Sequence, residues 1–318
     1  MRGIVLKAGR AEVRDDLPEP DLASHETLIE VLVGGVCATD IALRAGYMNF
    51  SGIPGHEFVG RALTGPLAGQ RVVGEINAGC GTCARCLKGD PRHCADRSVL
   101  GIFHRSGAFA ERCALPTTNL LPVPDEMPNE VAVFVEPLAA ALQIPLDLNL
   151  PRGARALVAG DGRLGLLCAH ALHEAGLVVT VAGHHEERKE LLPQGVRLIT
   201  GLLEEGVIAH ETFPVAVEAT GNAAVLPRLI PWVAPHGTLV MKTTTERPVT
   251  LDLAPLVVNE LRLVGSRCGR FEPALNLLAE GRLPLERLVQ ARYPLKQGDQ
   301  ALERAAQPGV LKVLLDVS

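Results

Sequence analysis

Hydrophobic and polar positions divide the chain into three stretches. Over residues 1 to about 140, short apolar runs are broken by glycine, proline and aspartate, with 27–33 (TLIEVLV) and 71–73 (RVV) the clearest. Runs bounded by turn formers predict a mostly β unit. From about residue 150 to 265 the pattern changes: apolar strands at 155–159, 178–182, 196–199, 215–218 and 238–241 alternate with helix-length amphipathic segments. The first such segment, 164–175 (LGLLCAHALHEA), reads as a helix stopped by Gly176. Strand–helix alternation predicts a parallel sheet covered on both faces, because each parallel connection has to cross over the sheet. The C-terminal stretch returns to mixed structure, with a helix near 273–280 and a β run at 310–317.

Composition narrows the class. A chain of 318 residues is long enough for about two domains, each with its own core. Hydrophobic residues make up 47% and charged residues 21%, a globular rather than a disordered balance. The net charge of -5 argues against a broad basic surface for nucleic acid or anionic membrane. No apolar run approaches the roughly 18 residues of a membrane span, and the first residues lack the apolar stretch of a secretory signal. Four of the eight cysteines crowd between Cys80 and Cys94. That is how metal sites look in reducing compartments, so the expected location is the cytoplasm.

Gly160-Asp161-Gly162-Arg163-Leu164-Gly165 follows the first strand of the alternating region and opens its first helix. One glycine makes the tight turn, one lets the backbone approach a pyrophosphate, and one lets helix and strand pack closely. The helix N-terminus then offers unpaired N–H groups to the phosphates. The second strand should end in an acid that holds a ribose 2′-hydroxyl, but Gly183 stands there, followed by His184-His185-Glu186-Glu187-Arg188-Lys189. Without that acid, His184, Arg188 or Lys189 can pair with a 2′-phosphate, so the reading leans to NADP over NAD. Asp161 brings a carboxylate into the phosphate loop, with Arg163 as its candidate counter-ion.

Cys80-x-x-Cys83-x-x-Cys86-x7-Cys94 (CGTCARCLKGDPRHC) is the most specific signal in the chain. Four thiolates at this spacing can close a tetrahedron around zinc with no open position, which makes a structural site. His93 competes with Cys94 for the fourth place. A second constellation is dispersed: Cys37, Gly55-His56-Glu57 and Glu136-Pro137-Leu138. Alone, Cys37 reads as a small core residue and His56 as a hydrogen-bonded interior one.

Taken together and in order, these motifs resemble the zinc-containing medium-chain alcohol and polyol dehydrogenases. The resemblance runs through Cys37-Ala38-Thr39-Asp40, Gly55-His56-Glu57-Phe58-Val59-Gly60, the cysteine lobe, Glu136-Pro137-Leu138-Ala139, the strand–GxGxxG–helix and Val264-Gly265-Ser266. It implies an α/β protein with a partly open, β-rich, GroES-like catalytic domain at 1–140 and 268–318, carrying the structural zinc lobe 80–94. It also implies a doubly wound Rossmann domain at 141–267 that binds the nicotinamide dinucleotide through Gly160, Gly162, Arg163, Leu164 and Gly165, with Gly183, His184 and Arg188 at the ribose.

Catalytic zinc is implied at Cys37 and His56, with Glu57 and Glu136 as the remaining candidates, the two alternating or one of them standing behind the other. Glutamate at 136, where alcohol dehydrogenases usually place cysteine, is similar to the sorbitol, glucose and threonine dehydrogenase branch. Asp40 is implied to orient His56, and in its own right caps the helix after Thr39. Thr39 is implied as the hydroxyl that relays the proton. Relatives continue that relay through a histidine three residues on, where this chain has Ala42. Phe109 is expected near the cleft, and Cys113 and Cys168 in the core.

The implied activity is hydride transfer between NAD(P) and a secondary alcohol, polyol or sugar, or the matching carbonyl compound, in a homodimer or homotetramer. Two alternatives stand beside it. A metal-independent quinone or enoyl reductase would lack both ligand sets. A non-catalytic nucleotide sensor or structural protein on the same fold is suggested by Ala42 and Asp161.

Overall fold

A computed structural model describes residues 1–204, 213–245 and 248–317. It forms two units, one built from Met1–Glu136 with Arg270–Ser318 and one from Pro137–Gly269. The seams thus fall at Glu136 and Gly269, a few residues from the expected 140 and 267. Among the described residues no helix is long and apolar enough to cross a membrane.

In the first unit, strand Glu26–Gly35 organises the sheet. It pairs antiparallel with Glu57–Ala62 on one side and with Lys312–Asp316 on the other, and its first half also pairs with Arg112–Pro116. Arg71–Gly74 and Leu120–Pro122 extend the sheet beyond Glu57–Ala62, and Val289–Pro294 extends it beyond Lys312–Asp316. The C-terminal β run therefore rejoins the N-terminal unit through backbone pairing, with Leu314 opposite Gly35. This register matters for the site, since Gly35 also faces Glu57 and the Val36 N–H bonds to the Val313 carbonyl at 2.9 Å. Ile29, Val31 and Val33 alternate inward and are buried, as a sheet with one core face requires.

The second unit holds a parallel sheet of six strands among the described residues. Their order is Arg197–Thr200, Val178–Gly183, Arg155–Ala159, Phe213–Glu218, Val233–Met241, Arg262–Gly265. The chain winds outward both ways from Arg155–Ala159, so the strand order reverses beside it, which is where a doubly wound sheet binds its ligand. Helix Arg163–Glu174 packs its buried face, Leu166 to Leu172, on this sheet. It ends with Gly176 at φ +85° and the Leu177 N–H on the Leu172 carbonyl, the closure expected of a glycine stop. The next connection departs from the expected alternation. It holds a single 3-10 turn, Glu186–Leu191, because Pro193 follows so soon that no α-helix can propagate.

Candidate active site

Cys37 closes strand Glu26–Gly35 into helix Ala38–Arg44, standing at the helix N-cap. The Asp40 carboxylate reaches back to accept the Cys37 N–H at 2.8 Å with Oδ2. With Oδ1 it accepts the Gly55 N–H at 3.2 Å and lies 3.3 Å from His56 Nδ1. Asp40 is fully buried and thus both caps the helix and sets its carboxylate against the His56 ring, tying the turns that carry Cys37 and His56. Gly55 adopts φ +98°, and a Cβ there would strike the Phe109 ring at 2.3 Å. Phe109 is a fully buried core residue beneath this turn.

Cys37 Sγ, a His56 ring nitrogen and a Glu57 carboxylate oxygen all lie within 4.8 Å of one another. His56 and Glu57 are buried and Cys37 partly so. Burial resists protonation of His56, yet the Asp40 carboxylate and the Cys37 sulfur outweigh it and hold its pKa well above the ordinary range. The cluster attracts positive charge. A thiolate, an imidazole and a carboxylate converging on one point fit zinc. Thr39 Oγ1 is 3.9 Å from Cys37 Sγ, beside the donor set. Glu136, the second residue of helix Val135–Leu148, is not among the donors that converge.

One neighbour of this cluster escaped the sequence reading. Lys312 donates from Nζ to Glu57 Oε2, with both side chains buried. Gly35 makes the room: a Cβ there would sit 2.6 Å from Glu57 Oε2. The available signal was a lysine set between apolar neighbours in the 310–317 β run, which alternation alone reads as solvent-facing.

Cys80, Cys83, Cys86 and Cys94 form the second convergent set, their sulfurs within 4.8 Å of one another. Cys94 is buried, whereas His93 is exposed and outside the set, so the fourth donor is Cys94. Helix Ala84–Leu87 and the 3-10 turn Pro91–His93 fold the lobe back on itself. The Cys80 and Cys83 N–H groups point at the sulfurs of Cys94 and Cys80, both at 3.4 Å. The Thr82 hydroxyl and nearby backbone donors pull Cys80 down to about 6, while burial and neighbouring sulfurs push Cys86 up to about 12. Four sulfurs converging on one point suit a shared cation and leave no open position. Cys113 and Cys168 are buried in the core.

In the second unit, Gly160 takes φ +106°, and a Cβ there would lie 2.6 Å from the Ala219 carbonyl oxygen. A Cβ on Gly165 would lie 2.0 Å from the Gly160 oxygen, which is the close strand–helix packing expected, whereas Gly162 faces open space. Gly162 is the N-cap of helix Arg163–Glu174, with Leu164 in its first turn. The loop therefore keeps its exposed face clear for a pyrophosphate.

Asp161 turns away from that face to the end of strand Val178–Gly183. Its Oδ2 accepts the N–H of His184 at 2.9 Å and of His185 at 2.8 Å, and His185 Nδ1 lies 3.1 Å from the same oxygen. Arg188 donates from Nη1 to the Asp161 carbonyl at 2.6 Å and to Oδ1 at 3.2 Å. Burial alone would raise the Asp161 pKa, but the backbone donors and the Arg188 charge outweigh it and lower it. Arg188 is thus a counter-ion of Asp161. Arg188 is buried, and the His184 side chain is exposed.

Comparison with known proteins agrees with this geometry. The alcohol dehydrogenase GroES-like domain matches residues 23–125. The chain is 32% identical to D-altritol 5-dehydrogenase of Agrobacterium fabrum, covering 92% of each protein. It is 31% identical to L-threonine 3-dehydrogenase of Streptomyces coelicolor, covering 95% of this chain and 94% of that one. Among solved structures, an alcohol dehydrogenase from Thermus sp. ATN1 superposes with a TM-score of 0.89 at 27% identity over all of both chains. Carrying both donor sets and the dinucleotide loop, the chain belongs to the zinc-containing medium-chain alcohol and polyol dehydrogenases, enzymes that transfer hydride between NAD(P) and an alcohol.

Proposed function

We propose that this enzyme interconverts a polar secondary alcohol, of the polyol, sugar or hydroxy amino acid class, and its carbonyl compound. The observation that carries the reading is the convergence of Cys37, His56 and Glu57 on one point. When bound, zinc polarises the substrate oxygen and the nicotinamide exchanges the hydride. Cys37, His56 and Glu57 hold the metal, Asp40 fixes the His56 ring, and Lys312 anchors Glu57. Glu136 stands outside this set as a reserve carboxylate. Thr39 Oγ1 takes the proton of the substrate hydroxyl, and with Ala42 in place of a histidine the proton leaves through water or a ribose hydroxyl. The relatives named for D-altritol and L-threonine support a hydroxyl-rich or amino-bearing substrate. A metal-independent reductase would leave two convergent donor sets without a role. The test is a panel of polyols, sugars and hydroxy amino acids assayed with zinc-replete enzyme. Turnover of at least one, lost in Cys37→Ser and His56→Ala, is expected; full activity in either variant contradicts the reading.

The assembly we propose is a homodimer or homotetramer formed by a second copy at the edge of the parallel sheet. Strand Arg262–Gly265 has one partner strand among the described residues. Beside it Leu253, Val257 and Val258 are 62%, 76% and 78% exposed, an apolar surface that a two-fold contact would cover. Sedimentation of the wild type and of Val258→Asp tests it, with the variant expected to dissociate. A cytoplasmic location is proposed on the eight free thiols among the described residues.

A further inference from the structure

In a doubly wound dinucleotide fold, an acid at the end of the second strand accepts the adenosine ribose hydroxyls, and its loss ordinarily opens the site to a 2′-phosphate. Gly183 removes that acid from its usual place. The structure supplies a carboxylate to the same place from another element. A Cβ on Gly183 would lie 2.5 Å from Asp161 Oδ2, so the Asp161 carboxylate occupies the volume where an acidic side chain at 183 would begin. The N–H groups of His184 and His185 and the Arg188 guanidinium, the donors a 2′-phosphate would seek, converge on it instead.

We propose that Asp161 is the residue that selects NAD over NADP in this enzyme, by filling from the phosphate loop the anion subsite at the end of strand Val178–Gly183. The inference rests on the binding of a nicotinamide dinucleotide by the second unit. It reverses the lean to NADP drawn from Gly183, because the missing negative charge is not missing in space. The carboxylate side chain is 6% exposed and held in the subsite by the His184 and His185 N–H groups. A 2′-phosphate brought there meets a like charge and finds its donors already engaged.

The test is the dissociation constant of NADH and of NADPH, followed by nicotinamide fluorescence on the zinc-replete enzyme. Wild type is expected to bind NADH at least about tenfold more tightly, since like-charge juxtaposition costs more than the equivalent of one decade. Asp161→Ser and Asp161→Asn are expected to shrink that ratio at least about tenfold by tightening NADPH. Gly183→Asp alone is expected to weaken both dinucleotides by crowding Asp161. The double variant Asp161→Ala/Gly183→Asp, which returns the acid to the strand end, is expected to restore NADH selection. It also keeps the question open to measurement should the single Asp161 variants fail to fold. Tighter binding of NADPH by wild type overturns the inference alone. So does an unchanged ratio in folded Asp161 variants, the result a purely structural brace would give. Binding of neither dinucleotide overturns the cofactor reading as well.

Discussion

The ammonium of Lys312 and the carboxylate of Glu57 meet in the interior of the first unit, 255 positions apart in sequence, with side chains 3% and 1% exposed. The Phe134 ring faces the same ammonium at 5.5 Å. A carboxylate this deep needs a partner, because the desolvation of a lone buried charge is costly. Lys312 provides one, and so holds Glu57 beside Cys37 and His56.

Removing one side of this pair strands the other. Lys312→Met is expected to lower stability in urea denaturation by about 3–5 kcal/mol. The double variant Lys312→Met/Glu57→Gln is expected to recover a large part of that loss, since no uncompensated charge remains. Equal losses in the single and double variants would contradict the pairing.

Asp40 joins the Cys37 turn to the His56 turn through one carboxylate. Asp40→Asn keeps an acceptor for the Cys37 N–H but withdraws the charge facing His56. The expected result is a fall of about 10–100-fold in kcat/KM or in zinc affinity, measured by steady-state kinetics and competitive chelation. An unchanged value for both would show that the Asp40 charge does nothing for His56.

Cys94 belongs to a donor set separate from that of Cys37, His56 and Glu57. Cys94→Ser is expected to lose one zinc per chain by elemental analysis and to lower Tm by at least several degrees, since structural zinc contributes directly to folding. The zinc at the other donor set should remain, and retention of full metal content would contradict a four-thiolate site.

His170 gives the pH dependence a definite sign. Its Nε2 bonds to the Leu191 carbonyl at 2.9 Å, and burial holds its pKa below the ordinary value. Below about pH 6.5 the unfolded chain therefore binds a proton that the folded chain resists, and stability falls as pH falls until His170 itself is protonated. Thermal melts between pH 7.5 and 5 should show a shallower slope for His170→Gln than for wild type. Parallel slopes would remove His170 from the account of acid sensitivity.

The parallel sheet was legible in the sequence because strand–helix alternation is a local pattern, and the loop glycines and four-cysteine spacing are local too. Cys37, His56 and Glu57 flank the antiparallel pair Glu26–Gly35 and Glu57–Ala62, but a connection holding helix Ala38–Arg44 separates them, so their convergence was legible through the family resemblance and not from local pattern. What escaped reading depends on distant registers. Lys312 reaches Glu57 only because the last strand lies beside Glu26–Gly35, and nothing in its own neighbourhood announces that. Asp161 read as an intruder among phosphates because the loop sequence does not say which way its side chain turns. The short Glu186–Leu191 turn brings His185 and Arg188 back to it.

The convergence of Cys37, His56 and Glu57 on a metal is tested most directly by counting zinc and turnover together in His56→Ala. Wild type should hold one zinc in each of the two donor sets and oxidise an alcohol of the panel. The variant should keep only the four-thiolate zinc and lose at least about a thousandfold in kcat/KM, as expected when about 4 kcal/mol of transition-state stabilisation disappears. A variant that retains both zinc ions and turns over at the wild-type rate would contradict the assignment of this cluster as the catalytic centre.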